Sequence, residues 1–388
     1  MQEYYTSIIF MVCLLMIMVI VHLSENETLS KRRREKLRNI AELIVLGTVC
    51  EFVGFYLNNS DEVPRFVHGL VKATEFSVSP IIAYCFLVLL NPIKSKLANK
   101  ILLAHLIIHT ILEYTSIFIP IIFFIDKSNI YVRGNFYYIY VIDYLLSIIL
   151  CVIGLFNYCN RRQSRNILTI STMALFLLFG FLIRIINDDL HTDWLVVSII
   201  FVMFIITYSD LYLKVDSLTG VLNRRTYDNR LKTIDYSTVI IIFDVNQFKK
   251  INDTYNHQCG DKILRIVAQD ILKVYRKFGY CYRIGGDEFC VIFKKGKLQE
   301  IIESSNDCDL NHEISMLNKK FDDIINIDIM KYPMLSEGVS KGVAIYISGN
   351  DYDDMPFDNY CSTSINDVIK MADEKMYEEK KSKGKKND

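Results

Sequence analysis

Net charge is missing from this sequence: 44 lysines and arginines balance 44 aspartates and glutamates over 388 residues. That excludes a partner recognised by bulk charge, nucleic acid among them. The ten cysteines form no CxxC pair, which excludes a zinc site or a disulfide framework and leaves small core residues of a reducing compartment. The apolar start of the chain lacks a basic n-region, and no small-residue cleavage site comes after it. It therefore reads as a retained membrane span and not as a signal peptide. No heptad repeat separates the apolar half from the more polar one.

What is present is hydrophobicity, and it is uneven. Hydrophobic residues make up 51% and the mean hydropathy is +0.23, high for an ordinary soluble chain. Up to Leu213 there are seven apolar runs near the ~20 residues that cross a bilayer. They lie near 4–23, 40–57, 66–90, 101–125, 136–158, 167–186 and 194–213. Beyond Leu213 charged and apolar residues mix as in a globular domain. The reading is a seven-helix membrane region over 1–213 and a cytoplasmic catalytic domain over 214–388.

Basic residues alternate between the connecting loops. The first, third and fifth carry Lys31, Arg32, Arg33, Arg34, Lys36 and Arg38, then Lys94, Lys96 and Lys100, then Arg161, Arg162 and Arg165. The others carry only Arg65, Lys127 and Arg133, and the last is acidic, with Asp188, Asp189 and Asp193. This bias places the N-terminus outside and the second half in the cytoplasm, as in a multi-pass plasma-membrane protein. Ionisable residues inside the runs, Glu42, Glu51, Lys72, Glu75, His105, His109, Glu113, Asp143 and Arg184, are expected to face the bundle interior. His105, His109 and Glu113 repeat every four residues along one helical face; an interhelical hydrogen-bond cluster is favoured over a metal or proton site. A ligand of the membrane region would bind between helices, and nothing in the sequence names it.

The second half carries the chemistry. Thr238 to Phe243 is an unbroken β-branched run ending at Asp244, as expected of a central strand. Arg283-Ile284-Gly285-Gly286-Asp287-Glu288-Phe289 reads as a hairpin tip between two apolar runs, its glycines supplying backbone angles that other residues avoid. Two acidic sites converging from a strand end and a hairpin tip point to metal-dependent phosphate chemistry. Between them, Lys249, Asn252, His257 and Asp261 are expected to face a common pocket, where Asn and Asp suit a purine edge and Lys a phosphate. A helix over 262–278, a charged segment over 299–309, a helix near 314–325, a strand over 338–347 and a final amphipathic helix with a basic tail, 380–386, complete the reading.

Four motifs in order, Asp216-Ser217-Leu218-Thr219-Gly220-Val221-Leu222-Asn223-Arg224, Asp244 to Asp261, Arg283 to Phe289, and Ala372-Asp373-Glu374-Lys375-Met376-Tyr377, make residues 216–385 resemble the GGDEF domain of bacterial diguanylate cyclases. The resemblance implies an α/β, palm-like fold of the nucleotide-cyclase type that joins two GTP into cyclic di-GMP with release of pyrophosphate. It implies two Mg²⁺ ions, with Mn²⁺ as a substitute, held by Asp244, the Val245 carbonyl and Asp287. It further implies Asp287 as proton acceptor with Glu288 beside it, Lys249 and Lys380 at the phosphates, and Asn252, Asp261 and His257 at the nucleotide. Because each domain holds one GTP, turnover requires a homodimer, whose arrangement the membrane helices would set through the seventh helix.

Three positions depart from the family pattern. The product-inhibition motif Arg-x-x-Asp reads Arg276-Lys277-Phe278-Gly279, without its Asp. Asn256 replaces a Gly at a turn, a mild change, and Gly384 stands where an Arg is usual, with Lys385 as a substitute. No further module is expected after the domain. The alternatives are a catalytically silent GTP-binding or cyclic di-GMP-linked receptor, a regulated transporter or channel, and a cyclase making a mixed or mononucleotide product.

Overall fold

The computed structural model describes residues 2–58, 60, 62–90, 95–164, 166–186, 192–304, 310–348 and 364–384. Asp188, Asp189, Lys94, Arg165 and Lys385 lie outside them, as does the side chain of Arg184. The chain divides into two compact units, Met1–Leu213 and Lys214–Asp388.

The first unit is helical: α1 (Gln2–Glu25), α2 (Lys31–Leu57), α3 (Arg65–Leu90), α4 (Lys96–Thr115), α5 (Tyr137–Arg161), α6 (Ile167–Ile186) and α7 (Asp193–Leu213). Among the described residues five helices, α1, α2, α3, α5 and α7, are long and apolar enough to cross a membrane. The expected count of seven thus stands at five by length and composition. The basic cluster 31–38, expected in a loop, instead forms the first turns of α2, since Lys, Arg and Glu are good helix formers.

The expected fourth span, 101–125, is helical only to Thr115. Beyond it the chain meets Pro120 and then a β-branched and aromatic run, which forms β1 (Phe123–Ile125) paired antiparallel with β2 (Tyr131–Arg133). Proline cannot continue the helix, and such residues favour a pleated surface. The hairpin is anchored by Asn129, whose amide donates to the carbonyls of Ser60 and Val63 at 2.7 and 3.1 Å.

Most of the interior charges are buried as expected, and Lys72 pairs with Glu75 at 2.8 Å. Glu42 and His105 are the exceptions: both are exposed, and Glu42 pairs with Arg38 at 3.3 Å. In the His/Glu cluster, His105 contacts Asp143 of α5, and His109 Nε2 lies 3.3 Å from Asp143 and 3.5 Å from Glu113. The cluster is less satisfied than expected, because neither His109 nor Glu113 forms a well-aligned hydrogen bond.

The second unit is built on a four-stranded antiparallel sheet in the order β4 (Gly279–Arg283), β5 (Glu288–Phe293), β3 (Thr238–Val245), β6 (Val339–Tyr346). Strand β3 is buried along its whole length. Alternation sends Val239, Ile241, Phe243 and Val245 to one core and Ile240 and Ile242 to the other, as the period of a strand requires. Each such side chain contributes roughly 1.5–3 kcal/mol by leaving water.

The first core is covered by α9 (Phe248–Tyr255), α10 (His257–Tyr275), α11 (Lys297–Ser304) and α12 (Leu310–Lys331), the second by α8 (Arg224–Leu231) and α13 (Ile365–Gly384). Helix α10 starts at His257, five residues before its expected start, so His257 and Asp261 lie on the helix. The segment read as charged, 299–309, lies in helix α11 up to Ser304, and 305–309 lie outside the described residues.

Among the described residues strand β6 ends the sheet, and α13 packs across it so closely that a Cβ on Gly342 would lie 1.9 Å from the Ala372 carbonyl. Side chains of α13 also take up backbone groups of β6. Glu379 accepts from the Lys341 N–H at 3.0 Å, while Lys375 and Lys383 donate to the carbonyls of Val343 and Val339 at 3.1 and 2.8 Å.

Candidate active site

Asp244 and Glu288 stand directly opposite each other in the β3–β5 register, a position that brings side chains on one face within contact range. Asp287 is fixed beside them, because its carbonyl accepts the Val245 N–H at 3.2 Å. The acids of the strand end and of the hairpin tip therefore meet, at the end of the sheet face that carries α8 and α13.

The hairpin tip is held from the start of the domain. Arg283 donates to the Gly286 carbonyl at 2.7 Å and to Asp216 at 3.2 Å, and Arg224 donates to the Ile284 carbonyl at 2.9 Å. Burial alone would push the Asp216 carboxyl up, but the Thr219 hydroxyl and amide together with Arg283 hold it below its ordinary value. An ionised Asp216 thus links the opening loop to the tip.

The glycines of the tip work differently from expectation, since neither has a positive φ. A Cβ on Gly285 would lie 2.4 Å from Glu288 Oε2, so glycine is needed there for the close approach of that carboxylate. A Cβ on Gly286 would meet nothing within 4 Å. Gly286 leaves its surroundings open for a ligand.

Burial pushes the carboxyls of both Asp244 and Glu288 up. Negative charge on Asp287 and on Asp373 of α13 adds to the effect at each, while Lys380 opposes it at Asp244. Lys380 Nζ lies 2.6 Å from Asp244 Oδ1. A cluster of hard oxygen donors that raise one another's affinity for protons suits Mg²⁺ or Mn²⁺. Among the described residues no three His, Cys, Asp or Glu side chains are yet arranged around a metal position, and at Asp244 the Lys380 ammonium stands beside the oxygen a metal would use. The donors fit the ion, with Lys380 the group that must move.

Further along, Asn252 of α9 lies against α10, where a Cβ on Gly260 would fall 2.0 Å from its Oδ1. That contact sets Asn252 next to Asp261, which is half-buried with Arg265 3.9 Å away. Lys249 and His257 are exposed on the same helical pair. Between the helices Asn256 has φ 94° and ψ 165° and caps α10 by accepting from the Cys259 N–H at 3.1 Å. This is not the left-handed turn that Asn tolerates but a region nearly confined to glycine, so the departure is not mild. Gly279, where the family pattern has Asp, leaves no room for one: its Cβ would lie 2.7 Å from Val291 and 2.8 Å from the Ile292 carbonyl.

Sequence reasoning places Asp373 within a motif without giving it a role, and gives Gly342 no role within its strand. The spacing of eight residues from Ala372, packed on Gly342, to Lys380 is the available signal that two helical turns carry the lysine toward Asp244.

Residues 213–352 match the family model described as diguanylate cyclase, GGDEF domain. The chain is 42% identical over 84 residues to diguanylate cyclase DgcS of Shewanella oneidensis, covering 20% of this chain and 28% of that protein. It is 38% identical over 80 residues to diguanylate cyclase VdcA of Vibrio cholerae, covering 20% of this chain and 24% of that protein. The chain thus spans about a quarter of the length of these curated relatives. The crystal structure of the GGDEF domain of DgcB from Caulobacter crescentus, in complex with c-di-GMP, is 24% identical, covers 44% of this chain and 91% of that one, and has a TM-score of 0.31.

Proposed function

We propose that residues 213–352, which match the GGDEF family model, form the catalytic domain of a membrane-bound diguanylate cyclase that condenses two GTP into cyclic di-GMP with release of two pyrophosphates. The observation that carries the reading is the meeting of Asp244 with Asp287 and Glu288 beside an open Gly286. The chain keeps the acids that a silent nucleotide receptor would not need.

In this reading Asp244, the Val245 carbonyl and Asp287 hold Mg²⁺ or Mn²⁺. When bound, the ions neutralise the triphosphate and lower the cost of forming a 3′-alkoxide. Asn252 and Asp261 hydrogen-bond the guanine edge, with His257 close to the nucleotide. Asp287 accepts the 3′-hydroxyl proton, with Glu288 holding negative charge beside it. The 3′-oxygen of one GTP bonds to the α-phosphorus of the other as the bond to pyrophosphate breaks, and Lys249 and Lys380 face the leaving phosphates. Repetition from the second nucleotide closes the ring, so two domains must face each other in a homodimer.

The helical unit is read as a multi-pass plasma-membrane region in which α4 and α6 complete seven crossings, with the catalytic unit cytoplasmic. It biases the pairing of the two domains and so gates turnover. Full-length protein in lipid nanodiscs, given Mg²⁺ and GTP, should yield cyclic di-GMP identified by mass spectrometry, and Asp287→Asn should abolish the product while leaving membrane insertion intact. A wild-type protein that binds GTP without forming a dinucleotide would sink the reading. A fragment starting near Leu211 that is as active and as dimeric as the full chain would remove the gating.

A further inference from the structure

Within the helical unit, residues of α3, α5, α6 and α7 line a half-open cavity of about 130 Å³. Its wall is almost wholly apolar, with Phe86, Ile148, Ile170, Leu177 and Phe204 among the lining residues. An enclosed apolar cavity of roughly 150 Å³ takes up a molecule the size of benzene. This one therefore has room for a single ring.

The apolar wall is broken by Asp143, whose side chain is 6% exposed. Its carboxylate is oriented from behind by α4: His105 contacts one oxygen and His109 Nε2 lies 3.3 Å from the other. A carboxylate buried and oriented in this way favours a cationic group brought to it from the chamber side.

A second, smaller cavity of about 30 Å³ shares Ser79, Tyr140, Tyr144, Trp194 and Val197 with the first, so the two meet at that neck. Its remaining wall adds Phe76, Tyr137 and Phe181 to the aromatic surface, together with Glu75, Asp193 and Arg133. Among the described residues, the lining of both cavities holds three carboxylates and one basic side chain, Arg133. Aromatic faces attract cations, and Arg133 already lies over the Tyr137 ring, 4.8 Å from its centroid. Glu75, taken by Lys72 at 2.8 Å, and Asp193 line only the smaller cavity, so that among the described residues Asp143 is the carboxylate that lines the ring-sized chamber.

We propose that this cavity is a binding site for a small organic amine carrying one aromatic ring, seated with its ring in the apolar chamber and its ammonium against Asp143. Desolvated charge pairing supplies selectivity for the amine over a neutral isostere, and the chamber volume matches a single ring.

The chain contains one tryptophan, and because Trp194 lines both cavities its emission reports occupancy directly. Full-length protein in nanodiscs is titrated with 2-phenylethylamine and, separately, with 2-phenylethanol. The amine should change Trp194 emission saturably and bind at least about tenfold more tightly than the alcohol. Asp143→Asn should bring the two compounds level. Ala174→Phe, which fills the chamber without removing a charge, should abolish the saturable response. Equal affinities for amine and alcohol in the wild type overturn the proposal. So does a response that survives Ala174→Phe or only tracks partitioning into the lipid.

Discussion

Lys380 Nζ and Asp244 Oδ1 lie 2.6 Å apart, although 136 residues separate them in sequence. The ammonium stands where a divalent cation would meet the carboxylate, so the resting domain carries its own monovalent substitute. A charge-assisted contact of this kind is worth roughly 1.5–3 kcal/mol. Lys380→Met should therefore tighten Mn²⁺ binding in the absence of nucleotide by about tenfold or more, measured by electron paramagnetic resonance. Turnover should fall in the same variant, because on the proposed reading the lysine faces the phosphates. Unchanged Mn²⁺ affinity would show that the contact does not compete with metal.

Gly260 is the second position where a small change has a defined outcome. Replacing glycine by alanine inside a helix ordinarily stabilises by about 1 kcal/mol, but here the new Cβ would lie 2.0 Å from Asn252 Oδ1. Gly260→Ala should displace Asn252 and raise KM for GTP by about tenfold or more, with kcat changed much less. A KM equal to that of the wild type would remove Asn252 from nucleotide recognition.

Asn256 holds a conformation that costs roughly 1–3 kcal/mol for a residue other than glycine. Its cap on Cys259 returns part of this, and glycine at such a cap loses only a few tenths of a kcal/mol. Asn256→Gly should stabilise the catalytic unit by about 1 kcal/mol, read from hydrogen exchange of α10. A loss of stability would mean that the cap outweighs the strain.

Burial pushes the Asp270 carboxyl up to about 6, with Lys273 pulling it down and Asp328 of α12 pushing it further up. A carboxyl whose folded value is raised gives its full stabilisation below the ordinary range near 4 and loses it as pH rises through about 6. The catalytic unit should therefore lose roughly 2 kcal/mol between pH 4 and pH 7 from this group. Asp270→Asn should flatten that slope. Denaturant midpoints at several pH values, followed by exchange in α10 and α12, check both statements.

The acids are legible because they punctuate β-branched and aromatic runs: a strand such as β3 announces itself, and Asp244 and Asp287 mark where two such runs end. What spacing cannot carry is the reason for a residue. The tip glycines look like turn residues, whereas Gly285 makes room for Glu288 and Gly286 leaves open space. Hydropathy likewise cannot tell an apolar strand from the continuation of an apolar helix, and so the run after Thr115 reads as part of a span when it turns into the β1–β2 hairpin. The Lys380 contact depends on the packing of α13 on Gly342, a tertiary fact with only a faint trace in sequence.

The side chains of α13 that engage the Lys341 N–H and the Val339 and Val343 carbonyls have an effect beyond the domain itself. A sheet margin with three of its backbone groups already engaged is a poorer template for a neighbour's strand. On the proposed reading, domains crowded at a membrane surface would be less readily drawn into ribbons through this edge.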